Sequence, residues 1–166
     1  DDVQLRDEVI TMIAAGHETT ANALTWAFHL LADAPDEDRA LSDELAAVLG
    51  GREPTLEDVP KLPYTQAVLK ESMRLYPPAW TVARFAERDD EIAGYFVPKG
   101  SHVFASIYGV HRNPAYWHKP LRFDPTRFLG DAERERPRLA YMPFGAGPHL
   151  CIGQPFAMLE GTLILA

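Results

Sequence analysis

One cysteine, Cys151, is all the thiol chemistry this chain of 166 residues possesses. A single thiol excludes an internal disulfide and suits a reducing compartment. With no second cysteine at C-x-x-C spacing, zinc is a poor rival for that sulfur. Positive charge is also scarce: 16 Lys and Arg stand against 24 Asp and Glu, a formal net charge of −8. That balance argues against nucleic acid or an anionic membrane as the main partner. No basic segment leads into an apolar one, so no signal peptide is read, and His17, Glu18 and Asn22 interrupt the longest apolar tract before it could span a membrane. These absences predict a soluble, cytoplasmic protein. The length suits one domain, and 46% hydrophobic residues suffice for a packed core. The last residues, Leu163-Ile-Leu-Ala166, end inside an apolar helical pattern without a cap. The expectation is therefore a piece of a longer polypeptide, with an N-terminal anchor left open.

What is present gathers around the cysteine. In Phe144-Gly-Ala-Gly-Pro-His-Leu-Cys-Ile-Gly153, Gly145 and Gly147 are free to take positive φ, while Pro148 and Pro155 stiffen the flanks. The run Pro155–Leu165 reads as a helix with proline in its first turn. Cys151 then precedes a helix N-terminus, where unpaired N–H groups favour a thiolate and make the sulfur a ligand. A buried structural cysteine is the alternative that the residues alone leave open.

Apolar or small residues at Leu5, Val9, Ile13, Gly16, Thr20, Ala23, Ala27 and Leu30 recur at helical spacing and predict one long helix over about Leu5–Leu31 with a single buried stripe. Its middle, Gly16-His-Glu-Thr-Thr20, is unusual. The glycine costs about 1 kcal/mol relative to alanine, and threonine hydroxyls bond back to earlier carbonyls and bend helices. A weakness beside an acid and an alcohol suggests a place where the backbone opens for a small ligand; a polar patch at a helix crossing is the alternative. His17-Glu18 lacks the second histidine of H-E-x-x-H, so a zinc protease is excluded.

A second helix begins at Pro35, buries Leu41, Leu45 and Val48, and stops at Gly50-Gly51. Arg52–Lys61 reads as a polar connection. A third helix runs from near Pro63 to before Pro77. On its apolar stripe, with Tyr64, Val68 and Leu75, stands Glu71. A carboxylate buried there needs a partner, and Arg74 is one turn away. Period-two alternation then predicts a small sheet: a strand Ile92–Val97, a turn at Pro98-Lys-Gly100, and a strand through Val103, Ala105 and Ile107. His111–Trp117 reads as a short helix, Pro120–Pro143 as an ordered irregular meander, and Asp131–Arg138 within it as solvated surface.

The pattern Phe144-x-x-Gly147-x-x-x-Cys151-x-Gly153 resembles the haem-binding loop of the cytochromes P450. The resemblance implies haem b, with Cys151 as the metal ligand, Phe144 as the ring shielding the sulfur, Gly145, Gly147 and Gly153 shaping the loop, and His149 as a donor to a propionate. Thiolate ligation pushes electron density toward iron. Ala15-Gly16-His17-Glu18-Thr19-Thr20 resembles the oxygen-activation motif of that family. By this likeness Ala15 and Gly16 lie at the cofactor, Thr19 hydrogen-bonds dioxygen, and Glu18 relays protons from solvent. Glu71-Ser-Met-Arg74 fits the family's E-x-x-R, and Pro125-Thr-Arg127-Phe128 matches the segment supplying a second arginine, which implies a buried triad of Glu71, Arg74 and Arg127. Arg84 matches an arginine that grips a propionate, and Trp80, Thr81 and Val82 would border the substrate pocket.

Five motifs in family order imply a mainly α fold with a small β-sheet (α+β), residues 1–166 being the C-terminal part of a single P450 domain whose N-terminal half is missing. The implied activity is that of a haem-thiolate monooxygenase. It would insert one atom of O2 into a small lipophilic substrate, using electrons from a ferredoxin or a flavoprotein reductase. Arg74-Leu-Tyr-Pro-Pro78 is closer to members acting on fatty acids and similar lipophiles. Two other readings compete: a peroxide-using or isomerising P450, disfavoured by the retained Glu18–Thr19 pair, and a haem-binding domain without catalysis.

Overall fold

The computed structural model describes residues 1–166. Three long helices come first: α1 (Asp2–Ala32), α2 (Pro35–Leu49) and α3 (Pro63–Leu75). Strands β1 (Thr81–Phe85), β2 (Asp90–Ile92), β3 (Tyr95–Val97) and β4 (His102–Ser106) follow, then the one-turn α4 (Ile107–Val110), a long irregular segment with three 3-10 turns, and α5 (Gln154–Leu165). Each boundary has a local cause. The Asp1 carboxylate accepts the Gln4 N–H at 2.8 Å to start α1, Gly50 closes α2 in the left-handed region at φ 59°, and Pro77-Pro78 forbid continuation of α3. No helix is long and apolar enough to cross a membrane.

The core forms where the C-terminal turns of α1 meet α3 and α5. Ala23, Leu24, Ala27 and Leu31 of α1 pack with Val68, Leu69, Met73 and Leu75 of α3, Leu41 of α2 and Leu165 of α5. The continuous stripe expected along α1 is therefore only half realised. Leu5, Val9 and Ile13 are exposed, because α3 and α5 cover only the last turns. The helix also runs unbroken through Gly16–Thr20, and the expected opening is not there. Thr19 Oγ1 donates to the Ala15 carbonyl at 2.6 Å, a bond made within the intact helix.

The sheet differs from the expectation in its pairing. Ile92–Val97 is not one strand: Ala93 and Gly94 both take positive φ (51° and 85°), the geometry of a two-residue hairpin turn, so β2 and β3 pair with each other. β4 pairs antiparallel with β1 instead, Thr81 opposite Ser106 and Phe85 opposite His102. Ile107 opens α4 rather than ending a strand, because the Ser106 hydroxyl accepts the Gly109 N–H at 3.1 Å. The helix expected over His111–Trp117 is replaced by turns. Asn113 Oδ1 takes the Ala115 N–H at 2.9 Å, and Pro114 has none to give. The charged tract Asp131–Arg138 is not wholly solvated either: Glu133 pairs with Lys70 at 2.8 Å, and Arg136 lies over Trp117 and Phe128, 4.1 and 4.8 Å from the ring centroids.

The α2–α3 connection is ordered by a buried acid. Asp58 receives both Nη groups of Arg52 (2.7 and 2.8 Å), the backbone N–H and hydroxyl of Thr55 (3.0 and 2.9 Å), and Lys61 Nζ at 3.3 Å. Across the same corner Glu44 accepts the first N–H groups of α3, Tyr64 at 2.7 Å and Thr65 at 2.8 Å, a side-chain cap from another helix. Hydrogen bonding from Arg52 holds the Asp58 carboxyl well below the ordinary carboxylate range. A depressed folded-state value stabilises the fold above the unfolded value of about 3.9 and withdraws that stabilisation as pH falls through the folded one. Asp58→Asn should lower the unfolding midpoint at neutral pH and narrow the gap to wild type in strong acid, as read from thermal melts across a pH series.

Candidate functional site

Cys151 is exposed. It ends a loop that closes on itself: the Cys151 N–H donates to the Phe144 carbonyl at 3.0 Å, Gly145 N–H to Met142 at 3.0 Å, and Leu150 N–H to Gly147 at 3.1 Å. Gly145 and Gly147 sit at φ 76° and 73°, where an L side chain is strained, so these two glycines are demanded by the loop's own backbone. Gly153 is not, since its φ is −81° and a Cβ there would meet the Cys151 sulfur at 3.8 Å, an ordinary contact. Phe144 anchors the loop by packing partly buried against the main core. His149, in the 3-10 turn Gly147–His149, is exposed. Around the sulfur Leu150, Ile152 and Phe156 turn apolar side chains outward, Ile152 being 85% exposed.

Ala15, Gly16, Glu18 and Thr19 lie together on the uncovered part of α1. Apart from its chain neighbours and the helix's own backbone, nothing stands within 4 Å of where a Gly16 Cβ would project. On β1 the exposed Arg84 spends one N–H on the neighbouring Ala83 carbonyl at 2.8 Å and has no carboxylate partner. Trp80 joins Trp26, Tyr76, Pro77 and Tyr108 in an open aromatic cavity of about 400 Å³, while Thr81 and Val82 are half-buried on β1. An accessible sulfur, uncovered apolar side chains next to it in sequence, open space over Gly16 and an arginine without an acid are each of a chemistry that suits a flat, apolar, doubly carboxylated metal chelate.

A charged network ties α3 to the irregular segment that leads toward the loop. Glu71 and Arg74 are both fully buried. Arg74 Nε and Nη2 donate to Glu71 at 2.6 and 2.8 Å, Nη1 to the carbonyls of His111 and Pro120 at 2.8 and 2.7 Å, and Nη2 again to Arg122 at 3.1 Å. All five guanidinium N–H groups are thereby used. Glu71 Oε1 also accepts the Asp124 N–H at 3.0 Å. Arg127 Nε stands 3.4 Å from the same oxygen without hydrogen-bond geometry, so the third member contributes charge while its Nη2 binds the Lys119 carbonyl. Burial pushes the Glu71 carboxyl upward, against the pull of Arg74, the Asp124 N–H and Arg127.

Sequence reasoning missed His111. It is fully buried, stacks on Tyr141 and accepts the Met142 N–H at Nε2 at 2.9 Å, two residues before Phe144. It thus joins the carbonyl that Arg74 binds to the start of the cysteine loop. Burial lowers its pKa to about 4.

The cytochrome P450 family model matches residues 1–166. Cyclooctat-9-en-7-ol 5-monooxygenase of Streptomyces melanosporofaciens is 45% identical over 166 residues, 100% of this chain and 36% of that protein. Cyclooctatin synthase of the same organism is 47% identical over 165 residues, 99% of this chain and 36% of its own length. Pentalenene oxygenase of Streptomyces avermitilis is 41% identical over 165 residues, again 99% against 37%. The chain spans about a third of the length of these curated relatives.

Two outcomes test the network. Glu71→Leu leaves Arg74 buried without its counter-charge, a loss of about 3–5 kcal/mol in urea unfolding. For His111 the unfolded chain takes up a proton near pH 6.5 and the folded protein only near 4. Stability should therefore be complete above about pH 6.5 and fall by roughly 3 kcal/mol as pH drops toward 4, a limb that unfolding curves of His111→Gln should lack.

Proposed function

The chain belongs to the cytochrome P450 family, and from that premise we propose that residues 1–166 are the C-terminal, cofactor-bearing part of a single P450 domain in a haem-thiolate monooxygenase. The observation that carries the reading is the exposed Cys151 sulfur at the end of a loop whose backbone demands glycine at 145 and 147. Haem b, when bound, supplies the activation of O2 that puts one oxygen atom into a C–H bond of the substrate and, with two electrons and two protons, reduces the other to water.

The chain's own residues hold and serve that group. By the family likeness Cys151 would supply the thiolate and Phe144 the ring shielding it, and Arg84 and His149 would offer donors for the two carboxylates. Ala15 and Gly16 leave room for a flat ring on α1. The Thr19 hydroxyl donates its hydrogen bond to the Ala15 carbonyl, so the lone pairs of its oxygen remain free to accept one from the reacting group. Glu18, one position earlier and exposed, would exchange protons with water. Glu71, Arg74 and Arg127 support the loop and take no part in the chemistry.

The substrate is proposed to be a small lipophilic molecule. Two relatives are named for an unsaturated alcohol and an unsaturated hydrocarbon, and the aromatic cavity beside Trp80 is of the same apolar character. Electrons come from a ferredoxin or a flavoprotein reductase, and the proposed compartment is the cytoplasm, where a lone cysteine stays reduced.

The deciding measurement is the absorption spectrum of the reduced, carbon monoxide-treated protein. A thiolate-type band that Cys151→Ser abolishes is the expected result, and a spectrum unaltered by that substitution overturns the assignment. Thr19→Ala should keep the band and lower substrate oxidation by roughly 10²-fold, the scale of a lost proton-handling group; unchanged turnover would remove Thr19 from the mechanism.

A further inference from the structure

Gly161 lies in the second half of α5, buried against α3. A Cβ built there would stand 2.5 Å from Leu69 Cδ2, 3.4 Å from Cδ1 and 3.6 Å from Cγ. Among the glycines this is the only such collision: Gly109 meets Ser106 at 3.1 Å, and no other position comes closer than 3.6 Å. Backbone freedom is not the reason for glycine, since residue 161 is in regular α-helix, where glycine costs about 1 kcal/mol relative to alanine. What glycine provides is proximity. Leu69 is 2% exposed and belongs to the cluster that includes Ala27, Leu31, Val68, Met73 and Leu165, so its isobutyl group has little space into which to rotate.

The same helix carries the sulfur. Gln154 N–H reaches the Cys151 carbonyl at 3.4 Å and Ala157 N–H the Gly153 carbonyl at 2.9 Å, so the cysteine is joined to the first turn of α5. From Gln154 to Gly161 is about 10.5 Å of helix, a length over which an α-helix moves as a rod. We propose that Gly161 is a positioning residue for Cys151: by letting the α5 backbone rest on Leu69 of α3, it sets the seat of the helix and, through it, where the sulfur stands. The proposal rests on the reading of Cys151 as haem ligand.

The test uses the full-length, haem-loaded protein at a temperature where circular dichroism shows each variant fully folded, and reads the reduced carbon monoxide band and the haem midpoint potential of that folded protein. Gly161→Ala should lose part of the thiolate-type band and shift the potential. Gly161→Ala with Leu69→Ala, which removes the three colliding atoms, should restore both toward wild type. Wild-type band and potential in Gly161→Ala, whatever its melting temperature, overturn the proposal. If Gly161→Ala does not fold, recovery of a folded protein with a wild-type band in the double variant supports it, and failure of the double variant overturns it. Cys151→Ser separates the two levels. A band surviving that change sinks the ligand assignment itself, while a band lost there but untouched in Gly161→Ala sinks only the positioning role.

Discussion

Arg74 is the point on which the rest of this structure depends. Its guanidinium has no contact with water, and all five of its N–H groups are spent: two on Glu71, three on the carbonyls of His111, Pro120 and Arg122. Those carbonyls lie in chain that forms neither helix nor sheet and would otherwise have no internal partner. A single buried cation on α3 thus does for the irregular segment what a ladder does for a strand. It is tolerable only because Glu71 supplies the opposite charge at bidentate distance. Trp117, 4.8 Å beneath the guanidinium, completes the enclosure.

From that anchor the chain reaches the cysteine in a few rigid steps. His111 gives its carbonyl to Arg74 and its Nε2 to the Met142 N–H, and Phe144 then packs on the core and receives the Cys151 N–H. On the far side α5 continues from the loop into the contact with Leu69. The sulfur is therefore held from both ends by elements that themselves rest on α3. An exposed sulfur on a loop held from both ends suits the proposed ligand role, since a metal could reach the sulfur while the loop stays still.

The uncovered part of α1 belongs to the same logic. Its last turns are core, its middle carries Gly16, Glu18 and Thr19, and its first turns present Leu5, Val9 and Ile13 outward. One helix thus joins packing at one end to the residues proposed for proton handling at its centre. The threonine hydroxyl is absorbed by the Ala15 carbonyl without breaking the helix.

Much of this was legible in the residues alone. Prolines and glycines marked the ends of α2 and α3, the stripe position of Glu71 announced a buried acid beside Arg74, and the spacing of Gly145, Gly147 and Cys151 announced a tight loop, because each of these depends on local geometry within one turn or a few residues. What stayed hidden depends on partners far away in sequence. β4 turned to β1 rather than β3, Glu44 capped a helix twenty residues on, Arg127 yielded hydrogen bonding of Glu71 to the Asp124 N–H, and His111 joined Arg74 to Met142. The identity and order of the reactive groups were thus set by the sequence itself. Which carbonyls received the arginine, and how closely α5 could approach α3, were decided only when the segments packed, since a buried donor takes whichever acceptor the fold delivers.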